Sequence, residues 1–307
     1  MARELRELGE CTLGEFLDGT GVELEDVYRR PWGGWTGLRR TAGLEASVED
    51  AEDKRVGGAI GRLLHVDDTA RLDRLELVAA GGPLPVDRLA RMVAAGVWSV
   101  GSASAGGPAG DPVAAVAGRR LSAARRRELA ELSRVLRERI HRVPPPLAVV
   151  PQQPLQVHAR YTRAEALLAF GMADPGSFRE GVRWFAEEQA DVFFVTLRKT
   201  EDHYSPTTMY ADRAISPSVF QWESQSTTST ASPTGQRYVH HRERGSTVHL
   251  FLRETNVADG ALGAPPFLYA GTMRYVTHSG DRPMRITWNL EHPLPADVYQ
   301  TAAVATG

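Results

Sequence analysis

The sequence contains almost no cysteine, almost no lysine and no long apolar run. Cys11 is the only cysteine among 307 residues, so the chain can form neither an internal disulfide nor a zinc site with several cysteine ligands. No apolar run approaches the roughly 20 residues that a membrane-spanning helix needs. The N-terminus is charged where a signal peptide would be apolar. These absences predict a soluble protein of the reducing cytoplasm that has no membrane partner.

Charge is nearly balanced, and almost all of the positive charge is arginine. The chain has 36 basic and 38 acidic residues and a formal net charge of −2. A protein that binds polyanions through a basic tail is therefore not expected, although the composition is compatible with a local basic surface. Lys54 and Lys199 are the only lysines. An arginine-rich composition is typical of a GC-rich genome, and it also suits contacts with phosphates and base edges. Composition does not separate the two.

Catalytic motifs with clear sequence signatures are absent. The chain has no phosphate-binding P-loop, no dinucleotide fingerprint, and no nucleophile elbow or His-Glu-x-x-His helix. His240 and His241 are adjacent, and neighbouring residues of a strand point to opposite faces, which argues against a shared metal ion. The sequence therefore predicts a binding module rather than an enzyme, with no cofactor and no metal.

A proline-rich stretch divides the chain. Residues 143–154 read VPPPLAVVPQQP, which prevents a helix and favours an extended connector. We therefore predict a helical domain at 1–142, a linker at 143–154 and a second domain at 155–307. Within the first domain, Thr12 and Glu15 have the spacing of a capping box. Further helices are predicted at 22–28, 55–64, 70–78, 86–97 and 122–140.

The helix at 122–140 has the strongest pattern. Leu129, Leu132, Leu136 and Ile140 recur on one face, as in an amphipathic helix. The rest of its circumference carries five arginines, which indicate either an ordinary solvated face or contacts with phosphates: Arg126, Arg127, Arg134, Arg137 and Arg139.

The second half of the chain has the character of a β-sheet. It holds 18 of the 23 aromatic residues and seven of the nine histidines. Apolar alternation predicts strands at 181–185, 191–198, 219–225, 247–253, 267–276 and 284–290, after a short helix at 162–170. Strands with few helices favour a mixed sheet that curls on itself. The predicted fold class is α+β: an N-terminal helical domain followed by a mixed, mainly antiparallel, curved β-barrel.

Several segments of the second half resemble a known family, and they do so in order. They are VHARYTRAE (157–165), DVFFVTL (191–197), YSPTTMY (204–210), ISPSVFQWESQS (215–226), SPTGQRY (232–238) and HRERGSTV (241–248). Together they resemble the C-terminal specificity domain of superfamily II helicase proteins from type IV, modification-dependent restriction systems. Residues 12–44, with EFL and DVYRR, and the segment LHVDD (64–68) are more weakly similar to the helical segment that precedes that domain.

This resemblance implies a fold, a function and partners. The specificity domain of these systems is similar to an SRA (SET- and RING-associated) domain, a curved barrel of the PUA-like kind. Such domains read 5-methylcytosine or 5-hydroxymethylcytosine in duplex DNA and flip the modified base into a pocket. The full-length proteins also carry a nuclease and a translocase, neither of which is in this sequence. The resemblance therefore implies a phage-defence module that acts with a helicase or nuclease core, either in a longer protein or in trans.

A pocket for a flipped cytosine needs flat faces for stacking and an acceptor for the N4 amine. We predict that Tyr210 or Trp222 stacks on the base and that Asp212 binds its edge. The opposing interpretations are that Trp222 belongs to the core and that Asp212 caps a turn. Glu223 is the alternative carboxylate. The full predicted base pocket is Tyr204, Tyr210, Asp212, Phe220, Trp222 and Gln225.

Contacts with the DNA backbone are predicted in a basic run that includes Gly245 and at the end of the strand at 191–198. The predicted residues are Arg198, Lys199, Arg237, His240, His241, Arg242 and Arg244. A solvated surface hairpin would account for the same basic run. Two other functions stay open: a nuclease or base-processing enzyme that uses His240, His241 and Glu243, and docking of residues 1–142 onto a helicase or nuclease partner.

Overall fold

The structure is a computed structural model. It describes residues 1–29, 31–97, 121–141, 153–176, 178–198 and 212–304. Most of the predicted linker lies outside these residues, so the domain boundary stays a prediction. No helix in the described ranges has the length and apolar character that crossing a bilayer requires.

The first half is helical, as predicted. The capping box at Thr12 and Glu15 is confirmed, and Ser122 caps the longest helix. The short helices α1 and α4 were not predicted, because neither has a long apolar period and α4 follows a glycine pair. The helices are α1 (Ala2–Leu8), α2 (Leu13–Thr20), α3 (Leu24–Tyr28), α4 (Trp35–Ala42), α5 (Ala51–Ile60), α6 (Thr69–Ala80), α7 (Arg88–Val97) and α8 (Ala123–Glu138), with a 3-10 turn at Gly61–Leu63.

Helix α8 organises the helical core. Its predicted apolar face is buried, and its buried acidic residues bind the starts of two other helices. The Glu131 carboxylate accepts hydrogen bonds from the Leu13 backbone N–H and the Trp35 indole N–H, both at 2.8 Å. The Glu128 carboxylate accepts from the Trp35 backbone N–H, also at 2.8 Å. Because a helix start has unsatisfied N–H donors, these carboxylates stabilise α2 and α4 against α8.

The second half is built on one eight-stranded sheet. The strands are β1 (Arg160–Tyr161), β2 (Val182–Phe185), β3 (Ala190–Thr196), β4 (Arg213–Ser216), β5 (Val219–Glu223), β6 (Thr247–Arg253), β7 (Phe267–Ser279) and β8 (Arg285–Leu290). Seven of them follow the order β2-β3-β6-β7-β8-β5-β4, and β1 pairs with β7 outside this order. Strands β3 and β6 are parallel and the other pairs are antiparallel.

The sheet curls but does not close into a barrel. In the described residues no pairing joins its edge strands β2 and β4. The curl is nevertheless strong, since the rings of Phe193 on β3 and Trp222 on β5 lie 4.2 Å apart between centroids although three strands separate them. Register shifts in β7 accompany this bend, as bulges commonly do. The predicted mixed, mainly antiparallel sheet is confirmed, and the closed barrel is not.

Both faces of the sheet are covered. One face packs with helices α10 (Pro233–Val239) and α11 (Ala296–Val304), and the other packs with α7 and with α9 (Arg163–Ala169). Because both faces are buried, β3 is a nearly continuous apolar run rather than an alternating one. The alternative interpretation of the basic run as a surface hairpin is wrong: that run is helix α10, a turn and strand β6. Strands β1 and β4 and helix α11 were also not predicted.

Candidate nucleic-acid interface

The two aromatic residues of the predicted base pocket that the structure describes lie in the core. Phe220 is fully buried and Trp222 is 5 % exposed. The Trp222 ring lies 4.2 Å from that of Phe193 and 5.8 Å from that of Tyr238. Tyr204 and Tyr210 lie outside the described residues. In this structure, therefore, neither Phe220 nor Trp222 has a face open to a base.

Asp212 lies just before β4 and next to the end of β5. It is 8 % exposed, and its carboxylate accepts a hydrogen bond from the Glu223 backbone N–H at 2.9 Å. Gln225 follows β5 and is exposed. The fold thus brings Asp212, Glu223 and Gln225 to one end of the sheet, although they belong to different strands and loops.

A groove of about 470 Å³ opens at this end of the sheet. Ser224 anchors it, because its backbone and hydroxyl both bond to the Met284 backbone, each at 2.9 Å. Arg285 contributes a guanidinium that lies 3.3 Å from the Glu223 carboxylate. The groove is lined by Glu223, Ser224, Ser226, Ser279, Gly280, Pro283 and Arg285. Hydroxyls and an arginine are groups that contact phosphates and sugars in protein–DNA interfaces.

The serine- and threonine-rich run at 224–232 also lies at this end. Its Thr230 backbone N–H donates to the Asp281 carboxylate at 2.7 Å, and Asp281 lies between β7 and β8. Hydrogen bonds from Thr230 lower the pKa of Asp281. Thr228 and Ser229 are buried. The run is therefore tied to the sheet through the loop between β7 and β8.

Two of the predicted DNA-backbone residues have partners inside the protein. The Arg237 guanidinium donates to both carboxylate oxygens of the buried Asp191, at 2.6 and 2.8 Å, and lies 4.3 Å above the Trp184 ring. His241 is buried; its Nδ1 lies 3.2 Å from the Ser246 carbonyl oxygen and its Nε2 accepts from a backbone N–H at 3.2 Å. Burial lowers the pKa of His241. Neither side chain is positioned for phosphate contact here.

Arg242 and Arg244 differ from these residues. Both are exposed, and in the described part of the chain neither forms an ion pair with a carboxylate. His240 is partly exposed and lies 3.0 Å from Glu243. Arg198 pairs with Glu254 at 3.0 Å, and Lys199 lies outside the described residues. Arg242 and Arg244 therefore form the part of the predicted basic run that is open to an anion.

The arginine face of α8 is largely paired. Arg127 pairs with Glu45, and Arg137 lies 2.7 Å from Asp73. Arg139 lies 3.6 Å from Glu25. For these three arginines the structure agrees with the solvated face rather than with free phosphate contacts. Across the described ranges no group of three histidine, cysteine or acidic side chains is arranged to hold a metal ion.

The main feature that sequence reasoning missed is a cleft of about 710 Å³ between the helical half and the sheet. Six arginines line it: Arg62, Arg139, Arg160, Arg163, Arg179 and Arg253. A signal was present, because the segments LHVDD and VHARYTRAE both supply residues to this boundary. Their meeting in space, however, is not visible in the sequence.

A buried ionic network joins the two halves behind this cleft. Arg71 of α6 has no exposed surface and donates to the Glu165 carboxylate at 2.9 Å; it also pairs with Asp68. Glu165 further contacts His65 Nε2 at 2.7 Å and caps α9 through Thr162. Burial alone would raise the pKa of Glu165, but the positive charges of its neighbours and the hydrogen bonds hold it well below its usual range.

Comparison with known proteins finds a family model that matches the sheet half. The model of a family described as "Domain of unknown function (DUF3427)" matches residues 155–302. The matched residues run from just before β1 into α11. No curated protein matches the chain. The region thus matches a recognised but uncharacterised domain family.

Proposed function

We propose that the protein is a non-catalytic reader of modified cytosine, 5-methylcytosine or 5-hydroxymethylcytosine, in duplex DNA. It would flip the base and direct a type IV restriction system in the cytoplasm, together with a helicase or nuclease core in the same longer protein or in trans. The resemblance described above suggests this function, and one feature of the sheet half supports it.

That feature is the arrangement of two sites along strand β7. The small hollow beside Arg242 is lined by Tyr275, and the groove next to Asp212 is lined by Ser279. These two residues are four positions apart on β7, or about 13 Å in a strand. This spacing is less than half a turn of B-DNA, about 17 Å. One duplex can therefore contact both the arginines of the turn and the groove.

The groove offers chemistry suited to a cytosine. A carboxylate can accept several hydrogen bonds, so Asp212 can bind the cytosine N4 amine while it also accepts from the backbone. Since Trp222 is buried, we assign the stacking role to Tyr210, which precedes Asp212 by two residues. Stacking of a base on an aromatic ring contributes about 1–3 kcal/mol, comparable to the cost of unstacking it.

The test is fluorescence-anisotropy binding to matched duplexes that carry cytosine, 5-methylcytosine or 5-hydroxymethylcytosine, at about 50 and about 200 mM salt. We expect tighter binding to one modified duplex and a steep loss of affinity with salt. Arg244→Gln should weaken all three duplexes similarly and lower the salt slope by about one, as loss of one phosphate contact does.

Arg55→Gln is the matched control, because Arg55 is exposed on α5, far from β7 in the chain. Asp212→Asn and Tyr210→Ala should instead reduce the preference for the modified duplex. Equal binding to all three duplexes would refute the reading function and leave a general DNA-binding module. No binding at all would refute both.

A further inference from the structure

The arginine-lined cleft lies where the helical half meets the sheet. Its walls come from the 3-10 turn at Gly61–Leu63, the C-terminal end of α8, the start of α9, residues 175–176 and 178–179, and the loop at 259–267. Its volume of about 710 Å³ is in the range of small-molecule sites, about 300–1,000 Å³. It is separate from the groove at the end of β5.

Positive charge exceeds negative charge in this cleft. Of the residues that line it, six are arginines and three are acidic: Glu25, Asp67 and Asp259. Each acid already pairs with an arginine. Glu25 lies 3.6 Å from Arg139, Asp67 lies 3.1 Å from Arg160, and Asp259 lies 2.8 Å from Arg29. Of the lining arginines, Arg62 and Arg179 form no ion pair with these acids within the described residues.

Arg62 is the most informative of these arginines. It is half-buried, and within the described residues it has no carboxylate partner. Burial lowers its pKa, with no opposing charge to offset the effect. A partly buried cation without a counter-charge is unfavourable. Arg179 lines the same cleft and donates only to backbone carbonyls, at 2.7 and 3.0 Å. Both guanidiniums are available to an anion.

The remaining walls are flat and apolar. They include Phe178 and the Pro265-Pro266 pair. The Arg253 guanidinium lies 4.3 Å above the Phe267 ring. The Arg163 guanidinium lies 5.0 Å above the Phe194 ring. Stacking fixes the orientation of these guanidinium planes, so they lose little freedom when a ligand binds. The cleft thus combines anion donors with surfaces suited to a planar ring.

We propose that this cleft binds a nucleotide, with its phosphate held by Arg62 and Arg179 and its base against Phe178 and the two prolines. Guanidinium groups bind phosphate oxygens through paired hydrogen bonds. The nucleotide can be a free nucleoside monophosphate or one unit of a single strand. Both present the same chemistry. The proposal does not depend on the reading of modified cytosine at the other site.

The test is isothermal titration calorimetry of the full chain with the four deoxynucleoside monophosphates, with the corresponding nucleosides, and with inorganic phosphate. We expect at least one monophosphate to bind and its nucleoside and inorganic phosphate to bind more weakly. Arg62→Gln should weaken the monophosphate by about tenfold or more, the size expected for a lost charge-assisted hydrogen bond. Arg179→Gln should act in the same direction.

Arg55→Gln is again the control, since Arg55 lies seven residues before Arg62 and is exposed outside the cleft. Arg244→Gln separates the two proposals: it should weaken duplex binding and leave monophosphate binding unchanged. A short oligodeoxycytidylate that competes far better than dCMP would identify a strand as the source of the nucleotide. A strand that competes no better would identify the free nucleotide.

Three results would overturn the proposal. One is the absence of binding by every monophosphate at millimolar concentration. Another is binding that both Arg62→Gln and Arg179→Gln leave intact. The third is inorganic phosphate that binds as tightly as the monophosphate, since the cleft would then be a simple anion site. If Arg62→Gln fails to fold, Arg179→Gln carries the test, because that side chain is exposed and bonds only to its own loop.

Discussion

Replacing Arg71 with methionine tests whether the helical half and the sheet fold as one unit. Methionine keeps much of the volume of the side chain but removes its charge. Arg71 is fully buried, donates to Glu165 across the boundary between the halves, and pairs with Asp68 on its own helix. Its guanidinium also lies 4.1 Å above the Tyr161 ring of β1. The change therefore leaves two buried carboxylates without their main counter-charge.

The expected loss follows from this burial. Removing one partner of a buried ion pair typically costs about 3–5 kcal/mol, because the other charge stays buried and uncompensated. Here one carboxylate retains a partner, since Glu165 still contacts His65 at 2.7 Å. We therefore expect the free energy of unfolding to fall by about 3–4 kcal/mol. Such a loss is a large share of the roughly 5–15 kcal/mol that stabilises a typical domain.

Urea denaturation followed by far-UV circular dichroism measures this free energy. The matched control is Arg74→Met, one turn along α6, whose partner Asp87 lies 2.8 Å away in a partly exposed pair. A surface pair of this kind contributes about 0–1 kcal/mol. Combining Arg71→Met with Glu165→Gln should recover part of the loss, because the second change removes one of the two buried carboxylates that lost their main counter-charge. A loss from Arg71→Met as small as that of Arg74→Met would refute the reasoning.

Three further outcomes are expected. Trp222→Ala should lower the free energy of unfolding by about 3–5 kcal/mol in thermal and urea melts, because it removes a ring packed on Phe193. A Trp222→Ala variant that is equally stable and loses only DNA binding would contradict the place of Trp222 in the core. Burial lowers the pKa of His249 to about 3. The contribution of the neutral His249 to the free energy of unfolding is therefore full above pH 6.5 and falls as the pH drops, by about 2 kcal/mol at pH 5. His249→Gln should flatten that part of the stability–pH curve, and an unchanged slope would contradict this assignment to His249. Glu131→Leu leaves two buried N–H donors unpaired and should cost about 2–6 kcal/mol in urea melts; a loss under about 1 kcal/mol would mean that water replaces the carboxylate.

The elements that sequence reasoning predicted are those with local causes. The capping box of α2, the apolar face of α8, and the predicted strands of the sheet all depend on residues within a few positions of one another. Helix α10 was missed because its Ser232-Pro-Thr-Gly start resembles a turn. Its serine cap and first-turn proline are equally the signs of a helix start.

The candidate sites depended on more than local pattern. Alternation correctly placed Phe220 and Trp222 in a strand, but it does not reveal whether a given face meets solvent or another part of the sheet. Here the curl brings β3 against β5, and this contact buries both side chains. The residues that form the groove beside Asp212 come together only because β5, β7 and β8 are neighbours in the sheet.

By itself, the sequence determined the α+β class, the positions of most helices and strands, and an arginine-rich composition with a single cysteine, because periodicity and composition are properties of short segments. The tertiary structure alone decided that the sheet stays open, that Arg71 meets Glu165 from 94 residues away, and that Arg62 faces a cleft without a carboxylate partner in the described residues. The physical reason is that burial and charge pairing are set by groups distant in the chain. Their energies are realised only when the whole fold removes them from water.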